Sequence, residues 1–234
     1  VDSAPGNSVW TRQLRNTLRW LLALLQEQTG ELKRTFQLDT YYGRGKQVEL
    51  CLDASPWGLG GFLIEDGRIV SWFACGISEA EQALLHIKEA ESAAQQVVEA
   101  LAALVALRLW KDRWLHQRVS LKVKSDSISA LVLCLDLKTR GRGTGIIARE
   151  IALDVAQSEY LPRVVEHIPG VDNIIADALS RRFMPQEAFT LPECLRHVPE
   201  TPVAHRDGTY YRTTLQPAAA KQQSGGLEAA AERS

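Results

Sequence analysis

Cysteine is sparse, and the four present (Cys51, Cys75, Cys134 and Cys194) are scattered, with no CxxC pair and no histidine at zinc spacing. That pattern excludes a finger- or ribbon-type zinc module and argues against a disulfide framework. A reduced, intracellular setting is therefore expected, in cytoplasm or nucleus. Cys51 and Cys134 fall in apolar runs and read as small core residues. Long hydrophobic runs are lacking too: the longest, Ala100 to Leu107, is far too short to span a bilayer. No basic-then-apolar leader opens the chain, and its first residue is Val1, which suggests a piece of a longer polyprotein. There is also no excess of charge of one sign, since 27 basic and 28 acidic residues leave a net charge of −1. A uniformly basic nucleic-acid binder is excluded, so any polyanion must be gripped by a local patch.

What is present suits one domain with extra segments: 234 residues, 45% hydrophobic and 24% charged. Residues 8–28 carry Val9, Trp10, Leu14, Leu18, Leu21, Leu22, Leu24 and Leu25 at helical spacing, with Gly30 as a stop. Residues 33–46 form a polar connector. From Val48 to Asp53 the alternation of a strand puts Val48, Leu50 and Leu52 on one face and Asp53 on the other. Asp66-Gly67 between two apolar runs predicts a tight hairpin, so three antiparallel strands open the core. A helix over 89–110, a strand over 119–123, and a short helix over 127–135 capped by Ser125 or Asp126 follow. Then come a basic, glycine-containing loop over 138–143, an amphipathic helix over 145–159, a last strand at Val164, Val165 and Ile168, and a last helix over 173–181. Three antiparallel strands followed by alternating helices and strands predict an α/β fold with a mixed sheet flanked by helices. The prolines from Pro185 onward argue against regular structure, and the Ala/Gln/Gly/Ser-rich end from Gln216 reads as disordered.

Four acids stand at places where such a fold could gather them. Asp53 lies near a strand end, Glu99 inside a long helix, Asp126 at a strand-to-helix junction and Asp177 on the last helix. Convergent carboxylates with no cation among them repel one another and raise each other's pKa. The cluster makes physical sense around hard divalent cations, which points to metal-dependent chemistry on a phosphate. Each acid alone has a blander reading: Asp53 as a turn residue, Asp126 as a helix cap, Asp177 as an i,i+4 partner of Arg181. Glu99 on an apolar helix is harder to explain away, because burying an unpaired carboxylate is costly.

Four blocks, in order, carry a resemblance to ribonuclease H, most closely to the domain attached to retrotransposon reverse transcriptases. They are Leu52-Asp53-Ala54-Ser55-Pro56-Trp57-Gly58-Leu59-Gly60-Gly61, the helix running on from Glu99 with Ala102 near the sheet, Ser125-Asp126-Ser127, and the stretch from His167-Ile168-Pro169-Gly170 through Asp177-Ala178-Leu179-Ser180-Arg181. The chain departs from the family pattern in having Leu52 before the first Asp, and in a long acidic stretch from Gly76 to Glu91. Glu89 and Glu91 rival Glu99. Glu91 and Glu99 lie about 12 Å apart along a helix, so both cannot enter one site. Glu99 is preferred because an apolar run follows it.

The resemblance implies a five-stranded mixed sheet, three antiparallel strands then parallel additions, over residues 46–183. It implies an N-terminal helix and connector over 1–45, by analogy the end of a reverse transcriptase thumb or connection region, and an irregular, largely disordered tail over 184–234. It further implies cleavage of the RNA strand of an RNA–DNA hybrid, with two Mg²⁺ ions (Mn²⁺ as substitute) held by Asp53, Glu99, Asp126 and Asp177, and with His167 assisting protonation or product release. Ser55, Ser127 and Asn173 would meet the hybrid near its 2′-hydroxyls, and Lys138, Arg140 and Arg142 its phosphates. The partner would be the polymerase domain of the same polyprotein, since no polymerase aspartate pair is present here. Two alternatives stand beside this reading: a catalytically inactive connection or tethering domain, and an integrase- or transposase-type nuclease. The second is disfavoured because its late acid is a Glu.

Overall fold

The computed structural model describes residues 11–26, 42, 45–87, 92–114, 119–137, 139, 141–157, 164–186, 188–207 and 209–212. Helix α1 (Thr11–Leu25) precedes the sheet. Strands β1 (Lys46–Ser55), β2 (Gly58–Glu65) and β3 (Arg68–Gly76) form the antiparallel meander. Its second turn has Asp66 and Gly67 at φ +48° and +79°, the left-handed pair that a two-residue hairpin requires. Then follow α2 (Glu79–Leu84), α3 (Ser92–Leu109), β4 (Val119–Ser125), α4 (Ile128–Asp136), α5 (Arg142–Ala156), β5 (Val164–His167) and α6 (Ile174–Ser180). The sheet order is β3-β2-β1-β4-β5, with β4 parallel to β1 and β5 parallel to β4. This is the α/β arrangement expected from the sequence, a five-stranded mixed sheet of three antiparallel strands and two parallel additions flanked by helices. Among the described residues no helix is long and apolar enough to cross a membrane.

Both faces of the sheet are covered. On one, Val48, Leu50, Leu52 and Ala54 pack in the main core with the apolar side of α3, Leu101 and Leu104 among it, and with Ile147 and Ile151 of α5. On the other, Cys51, Phe62 and Trp72 pack against Ala176 and Leu179 of α6 and against Leu195. Asp53 belongs to this second face, so it is covered by α6. The odd-even alternation of β1 thus decides which helix each residue meets.

The stretch from Gly76 to Glu91 contains an element the sequence reading did not anticipate. Helix α2 is capped by Ser78, which accepts from the Glu81 amide while Glu81 reaches back to the Ser78 amide. Glu81 is buried, and Arg206 donates to both of its oxygens at 2.6 and 2.9 Å. The Tyr211 hydroxyl adds a third hydrogen bond at 2.7 Å. Burial pushes the Glu81 carboxyl up, but these donors outweigh it and hold it below the usual carboxylate range.

These contacts correct the expectation of a loose tail. Residues 198–201 lie along the outer edge of β3: the Trp72 amide donates to the Pro199 carbonyl at 3.2 Å, and the Thr201 amide donates to the Trp72 carbonyl at 2.8 Å. Further on, Arg212 joins Arg108 of α3 in pairing with the buried Glu150 and Asp154 of α5. The prolines do keep this segment irregular, but side-chain ions anchor it where no ladder could. The expected disorder from Gln216, and Gly30 as a helix stop, lie outside the described residues.

Removing one partner of a buried pair strands the other charge. Arg206→Ala is expected to cost about 3–5 kcal/mol of unfolding free energy in urea titrations. The double variant Glu81→Leu/Arg206→Met should lose much less, since it removes both charges. A single-variant loss below about 1 kcal/mol, the range of surface pairs, would show that this pair does not hold the segment.

Candidate active site

Parallel pairing brings two strand ends to one edge of the sheet. Cys51 of β1 is opposite Lys124 of β4, and two residues further along each strand come Asp53 and Asp126. The carboxyl ends of parallel strands are where ligands bind in open α/β sheets. Asp53 is only 8% exposed. Burial pushes its carboxyl up to about 7; the Ser180 hydroxyl opposes this, and the charges of Asp126, Asp177 and Glu99 add to it. The charges of the other three acids singled out in the sequence therefore bear on Asp53 through space.

Each acid is met by a group of its own. Ser180 Oγ donates to Asp53 Oδ2 at 2.7 Å. Gln95 Nε2 bridges Glu99 Oε1 at 2.9 Å and the Ala54 carbonyl at 3.0 Å, tying the α3 acid to β1. Arg181 Nε donates to Asp177 Oδ1 at 2.7 Å in the i,i+4 contact foreseen as the bland reading. Asp126 Oδ2 lies beside Gly170, where an added Cβ would come within 3.3 Å. Among the described residues, no three acidic, histidine or cysteine side chains stand close enough together to hold a metal ion.

The local sequence explains these positions. The α4 cap is Ser127, which accepts from the Ala130 amide at 3.3 Å, rather than Ser125 or Asp126. Ser125 Oγ accepts from the Ser127 amide at 3.1 Å, so two serines close the turn and Asp126 is left uncommitted to capping. Helix α6 lies flat on β2 because Gly60, paired with Asp53, has no side chain: a Cβ there would sit 2.3 Å from the Ser180 amide nitrogen. Asn173 Nδ2 donates to the Leu52 carbonyl at 3.0 Å, and Ser55 Oγ to the Ser180 carbonyl at 2.8 Å. The consecutive β1 residues from Leu52 to Ser55 are thus each tied by a hydrogen bond to α3 or α6.

The residues expected to contact substrate differ in exposure. Ser55, Ser127 and Asn173 are buried, and their side chains hold backbone groups of the site instead of facing a strand of nucleic acid. Gly143 is no loop residue for approaching phosphate: it is buried in α5, and a Cβ would stand 2.1 Å from the Leu85 carbonyl oxygen. Arg142 is exposed at the first position of α5, while Lys138, Arg140, Glu89 and Glu91 lie outside the described residues. His167 is exposed at the end of β5, opposite Ser125, and its Nε2 lies 3.1 Å from the Asp126 carbonyl oxygen. It borders Asp126 from the end of a strand.

Ser180 and Gln95 are the groups that reading the sequence missed. Both carried a signal in their spacing: Ser180 follows Asp177 by three residues and Gln95 precedes Glu99 by four, so each shares a helix face with an acid. The donor set fits hard divalent cations, because it consists of carboxylate oxygens, one of them, on Asp53, pushed up to about 7 chiefly by burial.

No protein-family model and no curated protein matches the sequence. Among solved structures, the chain is similar to ribonuclease H1 from the halophilic archaeon Halobacterium salinarum NRC-1, with 18% identity and a TM-score of 0.39 over 57% of this chain and 92% of that one. It is likewise similar to LC11 ribonuclease H1, isolated from compost by a metagenomic approach, with 18% identity and a TM-score of 0.42 over 58% of this chain and 91% of that one.

Crowded charge at Asp53 makes a stability prediction. Its folded-state pKa lies above the unfolded value of about 4, so the stability tied to its proton is complete below that pH and drains away up to about pH 7. Without divalent cations, Asp53→Asn should therefore unfold at higher urea than the wild type at pH 8, with the gap closing at pH 4. Equal midpoints at pH 8 would show that ionising Asp53 in the folded chain carries no penalty from its burial and its acidic neighbours.

Proposed function

We propose that the chain is a divalent-metal-dependent endonuclease that cuts the RNA strand of RNA–DNA hybrids, as the ribonuclease H domain of a retrotransposon reverse transcriptase. The observation that carries this reading is the placement of a buried Asp53 at the carboxyl end of β1, with Asp126 just past the end of the parallel β4 and α6, the helix of Asp177, bonded to Asp53 through Ser180. Two Mg²⁺ ions, or Mn²⁺ in their place, would be held by Asp53, Glu99, Asp126 and Asp177. When bound they supply an activated water and neutralise charge on the phosphate.

The remaining steps belong to the chain's own groups. Asp53 is fixed by Ser180 and Glu99 by Gln95, so two of the acids are oriented before substrate arrives. His167, exposed beside Asp126, is placed to give a proton to the departing 3′-oxygen or to ease product release. Arg142 at the start of α5, with Lys138 and Arg140 before it, would meet backbone phosphates and carry no sequence information. Discrimination for RNA falls to backbone groups around Ser55, Ser127 and Asn173, because those side chains are turned inward. The exposed Leu18, Leu21, Leu22 and Leu25 of α1 support a protein neighbour such as the polymerase domain of the same polyprotein.

Purified protein is expected to cut the RNA of a labelled hybrid when Mg²⁺ or Mn²⁺ is present, to leave duplex DNA intact, and to stop in EDTA. Asp126→Asn keeps the shape of a ligand and loses its charge, so cleavage should drop by more than about a hundredfold with the melting temperature little changed. Cleavage that survives EDTA, or a fully active Asp126→Asn, would refute the mechanism. A wild type that binds hybrid and never cuts it would establish the tethering role instead.

A further inference from the structure

Ser180 is completely buried at the end of α6, and its hydroxyl has two acceptors within reach. Asp53 Oδ2 is 2.7 Å away on the neighbouring strand, and the Asp177 carbonyl oxygen is 2.9 Å away in the same helix. One hydroxyl carries one hydrogen. The contact to a carboxylate is the shorter and the charge-assisted one, so the proton goes to Asp53. A serine serving only its own helix would bond back to the carbonyl one turn earlier and need nothing from the strand. Here the backbone around it is also fixed: its carbonyl accepts from Ser55 Oγ at 2.8 Å, and its amide occupies the space that Gly60 leaves free. Among the described residues, Ser180 is the only hydrogen-bond donor to the Asp53 carboxylate.

We propose that Ser180 is the positioning residue of the candidate metal site, fixing the rotation of the Asp53 carboxylate and locking it to the helix that carries Asp177. The assignment rests on the metal-dependent reading above. Asp53 and the backbone of the helix that carries Asp177 are then held together, since Ser180 joins the two elements through a single side chain and a single backbone unit. The other half is held differently, Glu99 by Gln95 and the Asp126 backbone by His167. Outer groups that orient metal ligands typically contribute ten- to a hundredfold in metal affinity.

Mn²⁺ titration by calorimetry on the full chain, without nucleic acid, tests this for wild type, Ser180→Ala and Ser180→Cys. Thermal melts verify folding, and hybrid cleavage at saturating Mn²⁺ gives the KM. The expected result is Mn²⁺ binding about tenfold or more weaker in Ser180→Ala, with the KM for hybrid nearly unchanged. Ser180→Cys keeps the volume with a weak donor and should also bind Mn²⁺ more weakly; if the alanine variant fails to fold, the cysteine variant decides by the same criterion. Wild-type affinity in the folded variant overturns the role of Ser180 while leaving the metal site standing. A wild type that takes up no Mn²⁺ overturns the metal reading, and this assignment with it. A parallel rise in KM and loss of Mn²⁺ affinity would mark a general loosening of α6, which also overturns a specific role for the hydroxyl.

Discussion

A carboxylate buried at the end of the central strand, with three more carboxylates bearing on it, is the constraint around which this molecule is arranged. Left alone, Asp53 would be expelled toward water or kept protonated. It stays in place because β1 is held on every side: β2 and β4 pair with it, α3 and α6 cover it, and side chains of those helices bond its last residues one after another. The glycines of the β2 start belong to the same requirement. Gly58 and Gly60 bring α6 so close to the sheet that Ser180 can reach across, and a bulkier pair would hold the helix, and Asp177 with it, at a distance. The energetic strain is electrostatic, while the means of bearing it are steric and hydrogen-bonded.

The two ion clusters remote from the site solve a different problem. Helix α3 must present Glu99 to the sheet edge, yet its other end carries Arg108 into the interior. Arg108 is met by Glu150 and Asp154 of α5, and Arg212 completes the group. Buried ions of this kind add little net stability over a well-packed apolar alternative, but they tolerate only one arrangement of partners. The long helix is thereby fixed in rotation at one end by ions and at the other by Gln95 on the Ala54 carbonyl.

Much of this was legible in the residues because local rules and the global fold agree. The alternation around Asp53, the Asp66-Gly67 turn and the apolar run after Glu99 each gave the right element, and the order of elements gave the sheet. The cap of α4 was misassigned by one or two residues, since three consecutive positions could all cap and only the backbone decides among them. Ser55, Ser127 and Asn173 looked like surface polar groups because polarity alone does not say whether a side chain faces solvent or a buried carbonyl. Glu81 was invisible for a stronger reason: its partner Arg206 is 125 residues away, and no periodicity links the two. The same distance hid the docking of the segment after Pro185, whose prolines report truthfully on regular structure and say nothing about side-chain anchors.

The placement of that segment has a consequence for how the chain acquires its shape. The contacts of Arg206, Thr201 and Tyr211 close loops of 125 to 130 residues, among the longest-range contacts in the molecule. A chain emerging from the ribosome exposes the meander, and then Glu81 of α2, well before its cationic partner Arg206 is synthesised. Every element bearing a candidate site acid is thus complete while the outer edge of β3 is still bare and the buried Glu81 still lacks Arg206. Closing so large a loop costs chain entropy that the contacts of Arg206 and Tyr211 must offset, so the docking of this segment depends on partners far away in sequence more than on any local pattern.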